Sequence, residues 1–170
     1  GVGDNNLFRF FIERNLALMK KTGSLTYITP SAWIYEDSSL NLRKHIFTDF
    51  HLHYFYQFEN RKGIFPAVHR SYKFAIFQIT QQDFLPNFAE LKALPVRFMK
   101  TDTNILYENK GQNEILWYPY EDIYKLSPQH WALFEVKSDQ DMTIIRKIYQ
   151  KFAPLNPNFM DFRRELDMTN

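Results

Sequence analysis

The stretch Glu59-Asn60-Arg61-Lys62-Gly63-Ile64-Phe65-Pro66-Ala67-Val68-His69-Arg70-Ser71 sets two apolar side chains, Ile64 and Phe65, among four basic residues. An aromatic ring flanked by Arg and Lys is suited to stacking on an unpaired base while the cations neutralise phosphate. The same two apolar residues can instead fold back into a satellite core, the commoner fate of aromatic side chains. The basic residues do not decide between these fates, because a charged loop is solvated more often than it is bound to anything.

Elsewhere the candidates for chemistry are thin. His51 and His53 alternate along an apolar run and two imidazoles so placed can share a metal, but no carboxylate or third His completes a recognisable ligand set, so no metal site is expected. Glu13, Glu36 with Asp37, and Asp139 with Asp141 read as solvated faces and helix caps, since acid-base pairs meet in the fold and obey no local spacing rule. No glycine-rich phosphate cradle, strained serine elbow or nucleotide fingerprint occurs among the scattered glycines. A self-contained enzyme is therefore not visible in the chain.

The elements that must position the loop are clearer. From Asp4 to Lys21, Leu7, Phe8, Phe11, Ile12, Leu16 and Met19 recur at helical spacing, with Asp4 or Asn5 as cap, Lys20 and Lys21 in the last turn and Gly23 as stop. The β-favouring run Ser24 to Pro30 comes next, then a helix capped by Ser38 or Ser39 and running to about Thr48, with Arg43 and Lys44 among its polar positions. His51 to Phe58 and Tyr72 to Thr80 read as strands. The segment between them is too short to carry a crossover helix, which makes them antiparallel neighbours. Beyond Gln82 the reading is a brief helix over Phe88 to Leu94, strands at Val96 to Met99, Glu114 to Trp117 and Trp131 to Val136, and a helix from Asp139 to about Phe152. An α/β fold results, ending in an antiparallel hairpin and followed by a small mixed α+β extension.

Composition excludes more than it assigns. With 170 residues, 45% hydrophobic and 24% charged, the chain can build one soluble core. The absence of cysteine rules out disulfides and thiolate zinc sites. No run of about 20 apolar residues and no cleavable leader is present, so a cytoplasmic protein is expected. A net charge of +2 does not announce a nucleic-acid binder, because phosphate neutralisation needs a local cluster rather than a global excess.

The order of segments says more than any one of them. Leu7-Phe8-Arg9-Phe10-Phe11-Ile12-Glu13-Arg14-Asn15-Leu16 is followed by Lys21-Thr22-Gly23-Ser24-Leu25-Thr26-Tyr27-Ile28-Thr29-Pro30-Ser31-Ala32-Trp33, then by Leu42-Arg43-Lys44, by Phe58 to Val68 with its Ile64-Phe65-Pro66 centre, and by Lys73-Phe74-Ala75-Ile76-Phe77. This succession resembles the gamma-class adenine-specific DNA methyltransferases, especially those fused to nucleases in single-chain restriction-modification enzymes. More loosely, Ser127-Pro128 with Trp131, and the ending Arg164 to Asn170, resemble the stretch that joins methylase to target-recognition domain.

The resemblance implies a partial three-layer, Rossmann-like methyltransferase sheet. Residues 1–82 would be the C-terminal half of the catalytic domain, 83–155 an extension toward a target-recognition domain, and 156–170 a linker. It implies transfer of a methyl group from S-adenosylmethionine to the exocyclic amine of adenine in double-stranded DNA. Phe65 matches the family's aromatic residue that packs against the flipped base, and Arg61, Lys62, Arg70 and Lys73 become candidate DNA contacts. The family's glycine-rich cofactor loop and its Asn-Pro-Pro-aromatic tetrapeptide lie upstream of the Phe-rich helix, and neither occurs in this chain. No catalytic residue is expected here, no cofactor is expected to bind the chain alone, and the rest of the same polypeptide would be its partner. The alternative is a non-catalytic nucleic-acid-binding or protein-interaction module that uses its aromatic surface.

Overall fold

A computed structural model describes residues 6–81, 92–107 and 114–152. In chain order the elements are α1 (Leu7–Leu18), β1 (Ser24–Pro30), α2 (Leu40–Asp49), β2 (Phe50–Glu59), β3 (Lys73–Gln81), β4 (Ala93–Lys100), β5 (Leu116–Pro119), α3 (Tyr120–Leu126) and α4 (Asp139–Lys151). The strands form one mixed sheet in the order β1-β3-β2-β4-β5. β3 is antiparallel to both of its neighbours, so β1 and β2 run the same way with β3 wedged between them. β4 lies parallel to β2, and β5 antiparallel to β4.

The expected β2/β3 pair is present, with Phe55 opposite Phe77. It does not end the sheet, however, because β3 also pairs with β1 and β4 adds to the far side of β2. The composition of β2 and β3 explains why. Both are nearly continuous in apolar and aromatic residues, and such strands are stable when neighbours cover both edges and a face. The strands beyond residue 82 thus extend the same sheet.

Alternation sends Phe55 of β2, Ala75, Phe77 and Ile79 of β3, Leu94 and Val96 of β4 and Tyr118 of β5 into one core. Ile12 and Leu16 of α1, Leu42, Ile46 and Phe47 of α2, Ile123 and Leu126 of α3 and Met142 of α4 pack into it from the helical side. At its centre is Trp33, fully buried in the 3-10 turn Ser31–Ile34, with its ring 4.9 Å from that of Phe77 and 5.5 Å from that of Phe55.

Several expectations change. α1 stops at Leu18, Met19 is extended, and the Gly23 N–H donates to the Lys20 carbonyl at 2.8 Å. Lys20 and Lys21 therefore sit in the turn to β1 and not in the last helical turn; Asp4 and Asn5 lie outside the described residues. Trp131 to Val136 forms no ladder: the segment crosses the helical layer, with Leu133 N–H on the Ile34 carbonyl at 3.3 Å and Leu133 and Val136 in the core. Its apolar side chains are buried by packing rather than by strand pairing. Ala93 and Leu94 open β4, while residues 88–91 and 156–170 lie outside the described residues. α4 starts on a reciprocal cap between Ser138 and Asp141. Its apolar residues divide, with Met142, Ile145 and Tyr149 turned inward and Ile144, Ile148 and Phe152 about half exposed. No helix among the described residues is long and apolar enough to cross a membrane.

Candidate functional site

β1, β2 and β4 point the same way, which gathers their carboxyl ends, Pro30, Glu59 and Lys100, at one edge of the sheet. Loops at that edge are where open α/β sheets place ligands. The connection between β2 and β3 lies there. It begins with a 3-10 turn, Asn60–Lys62, ended by Gly63 in the left-handed region at φ 70°. Its base is closed by the Asn60 N–H on the Tyr72 carbonyl at 2.9 Å.

The Asn60 side chain, fully buried, organises the rest of the loop. Its Oδ1 accepts from the Phe65 N–H at 2.9 Å, while its Nδ2 donates to the Phe65 carbonyl at 2.9 Å and the Val68 carbonyl at 2.8 Å. The Phe65 ring is partly buried and meets Phe74 edge to face at 5.1 Å. Phe74 in turn stacks on Phe58 at 5.5 Å. Phe65, Val68, Tyr72 and Phe74 from the loop and β3, with Ile28 and Pro30 from β1, line an apolar cleft of about 320 Å³. The Phe65 ring is braced by Phe74 and also forms a wall of the open cleft. Ile64 projects away, 40% exposed.

The four cations take different positions. Lys73 reaches the same cleft as Phe65 and pairs with Glu135 at 2.5 Å. Arg61 pairs with Glu59, and Lys62 with Asp102. Hydrogen bonds from Lys62 and from the Asn104 N–H hold the Asp102 carboxyl below the usual carboxylate range. Both cations lie at the surface, where solvent screens such pairs. The Arg70 guanidinium lies over Gly63, with Nη1 3.5 Å from the Arg61 carbonyl, and among the described residues it pairs with no carboxylate.

Gly63 is needed for its positive φ, which strains an L side chain, whereas the Arg70 guanidinium above it is the end of a flexible side chain that can move aside. A Cβ there would fall 1.6 Å from Arg70 Nη1. Gly63→Ala is expected to lower stability by about 1–2 kcal/mol, read as a fall in the denaturant midpoint. An unchanged midpoint would show that the turn relaxes freely.

Gln57, Glu135 and Tyr35, three polar residues at the site, are not apparent from sequence. Gln57, fully buried in β2, donates to Ser31 Oγ at 3.1 Å and to Glu135, and accepts the Met99 N–H at 3.0 Å. Glu135 thereby joins Gln57 to Lys73 beside a second hollow of about 440 Å³ lined by Tyr35, Leu133 and Phe134. Burial pushes the nearby Tyr35 hydroxyl above its ordinary pKa, an effect opposed by its hydrogen bond with Ser31. A glutamine at an inward-facing strand position was the one available cue.

His51 and His53 lie near the other end of β2, their rings 4.4 Å apart. Among the described residues no group of three or more His, Asp or Glu could hold a metal.

No curated protein and no solved structure matches the chain. The family model of the Eco57I restriction-modification methylase matches residues 2–65, a stretch that runs through α1, β1, α2 and β2 and ends on Phe65. Over that stretch the chain is similar to a restriction-modification methylase, and its mixed α/β sheet is consistent with a methyltransferase-like fold.

Proposed function

We propose that this chain is the target-base side of a restriction-modification DNA methyltransferase of the gamma, adenine-specific class, with a Rossmann-like catalytic sheet. The whole enzyme transfers a methyl group from S-adenosylmethionine to the exocyclic amine of adenine. The observation that carries the reading is Phe65 on the wall of an apolar cleft at the carboxyl edge of the sheet, flanked by Arg61, Lys62, Arg70 and Lys73. Its volume, about 320 Å³, falls at the small end of ligand pockets, roughly 300–1,000 Å³.

In this reading Phe65 stacks on the extruded adenine, and Arg61, Lys62 and Arg70 exchange their present contacts for DNA phosphates. Lys73, paired with Glu135, is the least available of the four.

The described residues do not fit the methyl donor. Of the described glycines, Gly23 precedes β1 at the opposite edge and Gly63 stands alone at the end of a basic turn, so the two form no glycine-rich cradle. Cofactor binding and the orientation of the amine therefore belong to a part of the enzyme that carries the glycine-rich loop and the Asn-Pro-Pro-aromatic tetrapeptide. The edge of β1 that pairs with no strand among the described residues, and the exposed Leu7, Phe10, Phe11 and Leu18 of α1, are where that part would continue the sheet and its helical layer. Such a tetrapeptide is expected in the reading frame upstream of Gly1; a start codon in its place would favour the non-catalytic nucleic-acid-binding module.

In the full-length protein, Phe65→Ala is expected to weaken binding of a duplex with an unpaired target adenine by about 1–3 kcal/mol, or about 5- to 150-fold. Phe65→Trp should keep most of the affinity. Unchanged affinity and methylation rate in the Ala variant would discard the stacking role.

A further inference from the structure

We propose that Asn60 is a positioning residue whose buried carboxamide presents the Phe65 ring to the cleft before any base arrives. The proposal rests on the stacking role of Phe65.

An Asn that merely closes a turn bonds the backbone about two residues on. Asn60 skips residues 61–64, bonds both the N–H and the carbonyl of Phe65, and reaches on to the Val68 carbonyl. Only a planar amide offers an acceptor and two donors side by side: a carboxylate lacks the donors, and a hydroxyl cannot hold both sides of one peptide. The side-chain bonds pass over Arg61 to Ile64 and fall on the segment from Phe65 to Val68 that walls the cleft. From the other side, Phe74 meets the ring edge to face and is itself stacked on Phe58. With backbone and ring both held, the ordering cost of docking a base is met in the fold, which is how preorganisation raises affinity.

The test uses the full-length protein and two DNA probes, a duplex whose target adenine faces an abasic site and a duplex without the recognition site. Asn60→Ala, which adds no charge, is expected to weaken binding of the first about tenfold and leave binding of the second unchanged, because a misplaced ring spoils stacking but not phosphate contact. In a Phe65→Ala background the Asn60 substitution should add nothing, since a positioning residue has no effect once its client is gone. An Asn60→Ala loss that adds in full to that of Phe65→Ala, or no loss at all, overturns the positioning role and leaves stacking intact. No loss in Phe65→Ala itself overturns stacking, and this proposal with it. Should Asn60→Ala fail to fold, amide exchange in the unsubstituted protein decides: a Phe65 N–H protected well beyond that of Ile64 supports the clamp, and equal rapid exchange at both overturns it.

Discussion

Replacing Arg43 by Met is expected to lower the unfolding free energy by about 3–5 kcal/mol, with a fall in Tm of about 6–20 °C for a chain of this size. Arg43 is fully buried. Its Nη1 donates to the carbonyls of Trp33 at 2.7 Å and Glu36 at 2.5 Å, while Nε and Nη2 both donate to the His130 carbonyl, at 3.0 and 2.8 Å. Burial pulls its pKa down to about 10, opposed by Asp37, so it stays charged at neutral pH. A methionine fills much of the space but leaves three carbonyls without this donor, and a buried unmet acceptor costs about 1–3 kcal/mol. Arg43→Lys should recover little, because one ammonium cannot span carbonyls that a planar fork reaches together. The consequence reaches the site: Arg43 ties the turn after β1 to His130, just before the segment that brings Glu135 to Gln57 and Lys73. A Met variant within about 1 kcal/mol of the parent by denaturant unfolding would show these bonds to be dispensable.

Acidification is expected to cost nearly as much, through His51. Burial, together with the neighbouring His53, pulls the His51 imidazole from its ordinary 6.5 down to about 4. The folded protein then binds this proton less readily than the unfolded chain. The stabilisation is therefore whole above pH 6.5 and is lost as pH falls from about 6.5 toward about 4. At about 1.4 kcal/mol for each pKa unit, the gap amounts to about 3 kcal/mol. His53, also depressed by burial, adds a contribution of the same sign. Denaturant midpoints of the parent and of His51→Leu, compared between pH 7 and pH 4, should diverge in slope, with the parent losing more. Parallel slopes would move the acid sensitivity to the carboxylates.

How far the site could be read from sequence depends on the range of the interaction that makes each part. β1 was legible because Ser24 to Pro30 carries β propensity and a closing proline within seven residues. α2 was legible in extent, yet Arg43 was misplaced on its polar face. Helical periodicity gives the angle of a side chain but not what will pack against it, and the carbonyl of His130 lies 87 residues away in sequence. Asn60 looked like one more polar loop residue, since its partners become visible only when the loop has folded back over it. Trp131 to Val136 has strand-like residues, but it packs Leu133 and Val136 into the core beside Ile34 and meets no strand edge among the described residues.

From sequence alone came the types of α1, β1 to β5, α2 and α4, though not the helix α3 or the irregular path of Trp131 to Val136. With them came the antiparallel relation of β2 and β3 and, through the order of its motifs, the resemblance that singled out Phe65. Periodicity, turn chemistry and motif order are written in neighbouring residues, and they survive whatever the chain packs against. The insertion of β3 between β1 and β2, the gathering of the strand ends around the cleft, the burial of Arg43 and the clamp of Asn60 on Phe65 were decided by tertiary structure. Each is a choice of partner across the chain, settled when apolar faces are covered and buried donors find acceptors, and no local pattern encodes it.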